Sequence, residues 1–327
     1  MPKNFNFISC MLIVLIYANV SPQTIDPDKL KSDVSAWLNT TVLELKELSG
    51  GLTNASFVAL TQKNKFVVRI GKQDASIFGI DRFCEAACQR SASKAGVAPD
   101  VLYADPNDGT LVSWFIEGET LSIDKQATDS QLKKIIQTLK KVHAIAYQEE
   151  FKSTSIYEKI RDMILQSLSN EYSFISKKDT EYAQNILTQI ETYFQDKEKR
   201  YAGLCHCDLF PRNFIDDGSH LWLIDWEYAC WGNVLFDLTS LCIELELSEK
   251  RTEYVLEAYF GDTWQQNILD FELMRTIFNL RNAFWYDIRG QELRFLAGID
   301  MKDYSEKHFN LFKCEAEKLL PINPSAS

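Results

Sequence analysis

The stretch "LCHCDLFPRNFIDDGSHLWLIDWEYACW", residues 204–231, constrains this chain more than any other. With Gly203 ahead of it, it holds three brief apolar runs, "GLCHC", "NFID" and "LWLID", each too short for a helix and bounded by turn residues. The pattern predicts three short strands, the last two joined into a hairpin by "DDGSH". Such a hairpin brings Asn213, where one strand begins, beside Asp225, where the other ends. Both flanks read as helical, so the hairpin is set into a helical region.

The cysteines of "CHC" suggest a zinc or thiol site, and the spacing argues against both. Neighbours on a strand point to opposite faces, so Cys205 and Cys207 would share one face while His206 points away. Three adjacent groups of this kind do not close a tetrahedron, and no C-x-x-C lies nearby. Eight cysteines are present, and leaving out Cys10 of the N-terminal segment makes the number odd. Most of them fall in apolar runs, which reads as reduced, buried thiols rather than a disulfide framework.

The acids carry more chemistry. Phosphoryl transfer requires an acid group at the attacking hydroxyl, metal ligands on the nucleotide phosphates, and a cover over those phosphates. Asp208 is followed five residues later by Asn213, with His206 two residues before it, and Asp225 closes the hairpin. Asn213 and Asp225 side by side are what two ligands of a magnesium cluster require.

The rest of the chain divides in composition. Residues 23–117 read as a short capped helix ("DPDKLKSDVSAWL"), two strands ("ASFVAL", "KFVVRI"), a helix ("DRFCEAACQRSASKAG") and a further hairpin around "PNDG". Residues 118–327 read as mostly helical. In "QLKKIIQTLKKVHAIA", Leu132, Ile135, Ile136, Leu139, Val142 and Ala146 share one helical face. Residues 1–22 contain "ISCMLIVLIYANV", an apolar run of signal-peptide length and too short for a comfortable membrane span. A cleaved leader, an anchor and a misassigned start remain open, and any membrane contact is expected through this segment alone. The formal net charge of -11 supplies no basic stripe and excludes a nucleic-acid partner.

The quoted block is similar to the choline/ethanolamine kinase and aminoglycoside phosphotransferase superfamily, and most similar to its bacterial choline kinase branch. "HCDLFPRNFIDDG", "LWLIDWEYACWG" and "FDL" follow that branch's catalytic block, while "GGLTN", "LMRTIFNLRNAFW" and "HFNLF" resemble its other landmarks. The likeness runs from about residue 45 to about 312 and is most specific between 203 and 245. It implies an α+β, two-lobed protein-kinase-like fold, with a small β-rich N-lobe over 23–117 and a larger, mostly helical C-lobe over 118–327.

Carried over residue by residue, the resemblance makes Asp208 the catalytic base or hydroxyl-orienting group, with His206 holding the catalytic loop in shape. Asn213 and Asp225 become the Mg2+ ligands. For ATP it implies a phosphate loop over 49–54, with Gly50, Gly51, Thr53 and Asn54. Arg69 stands where protein kinases place a lysine, with Glu85 as its ion-pair partner. Ser113, Phe115 and Ile116 are implied at the adenine hinge. Two departures stand out: Cys207, where the family often has asparagine or glycine, and "DWE" in place of "DFG".

The acceptor follows from chemistry. A quaternary ammonium donates no hydrogen bonds and is held by aromatic faces and a carboxylate. Tyr228, Trp231, Trp285 and Tyr286 offer faces, and Glu227 and Glu244 offer acids. The resulting expectation is an ATP-dependent phosphotransferase acting on a small cationic alcohol, choline giving phosphocholine. Ethanolamine, thiamine or an aminoglycoside are the alternative acceptors, and a catalytically silent binding module is the alternative outside the enzymes. Use of ATP favours the cytoplasm, whereas the leader points to a secreted or anchored form.

Overall fold

Rich in β-branched and aromatic residues, "ASFVAL" and "KFVVRI" read as strands, and the computed structural model pairs them in a sheet. It describes residues 25–48, 54–71, 79–122, 127–153, 155–169, 172–292, 295–296 and 299–320. Helix α1 (Pro27–Trp37) is capped by Asp26, whose side chain accepts from the Asp28 and Lys29 amides. Strands β1 (Glu44–Leu48), β2 (Asn54–Leu60) and β3 (Lys65–Gly71) follow, then α2 (Arg82–Lys94), β4 (Val101–Asp105) and β5 (Thr110–Trp114). The five strands form one antiparallel sheet in the order β1-β2-β3-β5-β4. Leu30 and Val34 of α1 are buried against Val42, Ala59, Phe66, Val68 and Val112, and Trp37 stacks on Tyr103 at 4.5 Å.

Beyond the short β6 (Glu119–Thr120) lie α3 (Asp129–His143), α4 (Ile156–Leu168), α5 (Lys177–Phe194) and α6 (Glu198–Tyr201). A capping box between Thr128 and Gln131 starts α3. Its face is Leu132, Ile135, Ile136, Leu139 and Val142; the helix ends at His143, so Ala146 lies outside it and is exposed. Strands β7 (Ala202–Cys205), β8 (Phe214–Asp216), β9 (Leu221–Leu223) and β10 (Cys230–Asn233) lead into α7 (Val234–Glu244), α8 (Glu249–Phe260) and α9 (Ile268–Glu292). The end is not all helix, because β11 (Phe295–Leu296) and β12 (Ile299–Asp300) pair before α10 (Met301–Leu319). Among the described residues no helix is long and apolar enough to cross a membrane.

By contacts the chain groups into two compact units. One comprises residues 25–156 and 191–278 and holds the five-stranded sheet, the β8–β9 hairpin and the β7–β10 pair. The other takes residues 157–190 and those from 279 on. There Asp287 is fully buried and accepts from Ser167 Oγ at 2.7 Å and the Phe174 amide at 2.5 Å.

Strand β7 places the catalytic stretch, and Gly203 in it is confined. A Cβ there would stand 2.7 Å from Val234 Cγ1 and 3.0 Å from the His143 carbonyl, whereas Gly232 opposite it in β10 meets only sulfurs at ordinary contact. Gly203→Ala is expected to destabilise the protein by about 1–3 kcal/mol through overpacking. Gly232→Ala should cost much less. Urea unfolding of the two variants checks this, and equal losses at the two sites would contradict it.

Candidate active site

The strand predicted over "GLCHC" ends at Cys205, and the next three residues leave it as a loop. The cause is Asp237, the fully buried carboxylate in the first turn of α7. Its two oxygens accept from the His206 amide and the Cys207 amide, each at 2.8 Å, and His143 Nε2 lies 3.1 Å away. His143 is itself held by Tyr259, 2.6 Å from Nδ1. Burial pushes the Asp237 carboxyl up, but the hydrogen bond and charge of His143, with the His206 contacts, outweigh it and hold the group below its ordinary value.

His206 is fully buried. Its Nε2 faces the Ile224 carbonyl at 3.0 Å, its Nδ1 accepts from the Asp208 amide at 3.3 Å, and its ring lies edge-on to Trp226. These bonds engage both ring nitrogens and leave neither for a substrate. Cys207 takes φ +64, in the left-handed region that glycine and asparagine enter most easily. The departure from the family pattern at 207 therefore falls at a strained position.

Asn213 couples the loop to the hairpin. Its Nδ2 donates to the Asp208 carbonyl at 2.8 Å and to Asp208 Oδ2 at 3.0 Å, and its carbonyl accepts from the Ile224 amide at 2.9 Å. With Phe214 opposite Leu223 in the ladder, this register brings Asn213 to the end of β9, where Asp225 follows at φ +66. Burial and the charge of Asp208 push the Asp225 carboxyl up, with Arg69 opposing. Glu227 is pushed up to about 7 by burial and by Asp225. Carboxylates crowded in this way fit a hard divalent cation, and an asparagine oxygen with one carboxylate suits Mg2+, which keeps waters and phosphate oxygens as its other ligands.

From the sheet, Arg69 forms a buried ion pair with Glu85 of α2. Its Nε is buried without a hydrogen-bond partner, a donor suited to an anionic ligand. Ser113 is buried in β5, and Phe115 and Ile116 follow that strand half-buried, the Phe115 amide donating to the Lys65 carbonyl. Of the phosphate loop, Gly50, Gly51 and Thr53 lie outside the described residues. Asn54 opens β2 and donates to Glu227 Oε2 at 3.0 Å.

The expected acceptor residues fall on several elements. Trp231 lies in β10, edge-on to Tyr147 at 5.2 Å and stacked with Phe151 at 6.5 Å. Tyr228 is half-buried, and Glu244 ends α7 half-buried. Trp285 belongs to the other unit, edge-on to Tyr286 with Arg289 over its ring.

Behind the loop the cysteines gather. The sulfurs of Cys84 and Cys88 are 3.6 Å apart, those of Cys207 and Cys230 are 3.7 Å apart, and Cys205 pairs with Cys230 across the ladder. Cys205 and Cys207, expected on one face, do interact: the hydrogen bond between them lowers the Cys205 thiol against burial and nearby charge, which still push it up to about 11, and it raises the Cys207 thiol. The described cysteines are free, and no three His, Cys, Asp or Glu side chains among the described residues form a metal-holding group.

Asp237, Arg82 and Tyr147 were not marked by the sequence reading. Asp237 enters that reading only as the middle residue of "FDL". Because its folded carboxyl lies below its unfolded one, Asp237 stabilises fully above the ordinary carboxylate range and less as pH falls through the folded value. Asp237→Asn is expected to cost about 3 kcal/mol and to flatten that part of the acid limb. Urea midpoints measured across acid pH check both; an unchanged acid limb would contradict the assignment.

Comparison with known proteins places this geometry. The choline/ethanolamine kinase family model matches residues 45–260. The protein LicA of Haemophilus influenzae is 26% identical over 246 residues, 72% of this chain and 70% of that one. A choline/ethanolamine kinase family protein from Mesorhizobium loti superposes with a TM-score of 0.68 at 26% identity, covering 89% of this chain and 94% of that one. The choline kinase LicA from Streptococcus pneumoniae gives a TM-score of 0.70 at 22% identity, over 87% of this chain and 98% of that one. The fold is the two-lobed, α+β kinase-like one. The chain belongs to the choline/ethanolamine kinase family and is a kinase-type phosphotransferase acting on choline-like small alcohols.

Proposed function

We propose that the chain transfers the γ-phosphate of ATP to the hydroxyl of choline, giving phosphocholine. The observation that carries this reading is the junction at Asn213. One side chain donates to both the main-chain and side-chain oxygens of Asp208, and the same residue's carbonyl accepts from Ile224, next to Asp225. Acid and metal-ligand candidates are thus positioned by one residue.

In this reading Asp208 accepts the hydrogen bond of the acceptor hydroxyl and aims its oxygen at the phosphorus. Asn213 and Asp225 hold Mg2+, which when bound neutralises charge on the phosphates. Arg69, oriented by Glu85, offers its buried Nε to the phosphates, and residues 49–54 cover them. His206 and Asp237 touch no substrate and keep the loop in register. Choline as the acceptor is supported by the family and by the relatives named above. Dependence on ATP supports a cytoplasmic site of action.

Release of ADP from the purified protein, across choline, ethanolamine, thiamine and an aminoglycoside, tests the reading. The expected outcome is turnover with choline above the others. Asp208→Ala should lose on the order of 10²-fold or more in kcat while keeping nucleotide binding. ADP release from no acceptor, or a fully active Asp208→Ala protein, would remove the proposal.

A further inference from the structure

Arg82 stands at the start of α2, directly after its cap Asp81. Its Nη1 is 2.8 Å from Glu85 Oε2 and 3.6 Å from Glu227 Oε2, and its Nη2 donates to Asn54 Oδ1 at 2.7 Å. Asn54 closes the ring by donating to Glu227 Oε2 at 3.0 Å. The side chains of Arg82, Glu85 and Glu227 are only 8%, 1% and 6% exposed. Gly109, at the β4–β5 turn, makes room for the arginine, since a Cβ there would lie 2.9 Å from Arg82 Nε. Three segments remote in sequence therefore converge on one guanidinium: the end of the phosphate loop, the glutamate partner of Arg69, and the residue two past Asp225.

Both Nη groups of Arg82 are engaged while its Nε, like that of Arg69, is buried without a partner, and the rigid planar fork fixes the directions of the engaged partners. We propose that Arg82 is a positioning residue of the phosphotransfer reaction: it clasps Asn54, the first residue of β2, to Glu227 and so holds the sheet in register with the segment that carries Asp225. Glu227, expected at the acceptor, is then a partner in the clasp. The inference rests on the nucleotide roles proposed above for residues 49–54 and Asp225. Misplacing a phosphate cover by a fraction of an ångström weakens nucleotide binding and orientation without touching the acceptor pocket. An arginine serving only the fold would lower stability and leave the affinity for ATP unchanged.

The test is steady-state kinetics of the full chain with ATP and choline varied separately, alongside urea unfolding. Arg82→Gln is expected to raise KM for ATP by about tenfold or more, with KM for choline held within about twofold. Glu227→Gln should do the same, and the double variant should be no worse than the worse single one. Arg82→Lys keeps the buried charge but loses the planar fork, so it decides the matter if Arg82→Gln does not fold, and it too should raise KM for ATP. An ATP KM within twofold of wild type in the folded variants overturns the clasp. So does a rise confined to the choline KM, or single effects that multiply in the double variant. Absence of ADP release from the wild type would instead defeat the phosphotransfer reading itself, so the two failures are distinct.

Discussion

The catalytic loop depends on the two oxygens of Asp237. A backbone leaving a strand at Cys205 must find acceptors for its next amides, and a buried unpaired amide would cost about 1–3 kcal/mol. Asp237 takes both, from the first turn of the helix that follows the loop's own hairpin. His143, from the end of α3, reinforces the carboxylate. Three elements thus share one buried charge, and the side chain of Asp208 stands at the end of a braced loop rather than on a free one.

Charge balance sets the rest of the site. Asp208, Asp225, Glu85 and Glu227 lie within electrostatic reach of one another, against Arg69 and Arg82. Burial makes Asp225 and Glu227 expensive to ionise, and Arg69 opposes this only in part. The surplus is located at Asp225, which is where a divalent cation reduces it most.

How much of this was legible in the sequence follows the range of each interaction. Asp208, Asn213 and Asp225 could be read because a hairpin relates them through local spacing, and the five-residue step from acid to amide is visible in the chain. Strand β1 could not be read: "ELKEL" is mostly exposed and carries no alternation of apolar residues. Asp237 was missed as a loop anchor because its partners are backbone amides some thirty residues earlier, which carry no signature in residue type. Arg82 had a faint one, an arginine three residues before Glu85 on a helix, but its contacts to Asn54 and Glu227 come only with the fold. The premise that "CHC" continues as one strand failed for a related reason. It assumed an extended backbone where φ is +64.

That thiol-lined rear wall has a consequence for reactivity. The hydrogen bond with Cys205, together with burial, drives the Cys207 thiol well above its ordinary value, and Cys88 is driven up likewise by Cys84 and burial. Such groups stay protonated at neutral pH and are poor nucleophiles, so electrophiles and oxidants find little thiolate while the loop is seated. Cys207 is only half-buried, and its amide is one of the two that Asp237 holds. Its low reactivity is therefore a property of the seated loop, carried by a residue that takes no part in the chemistry.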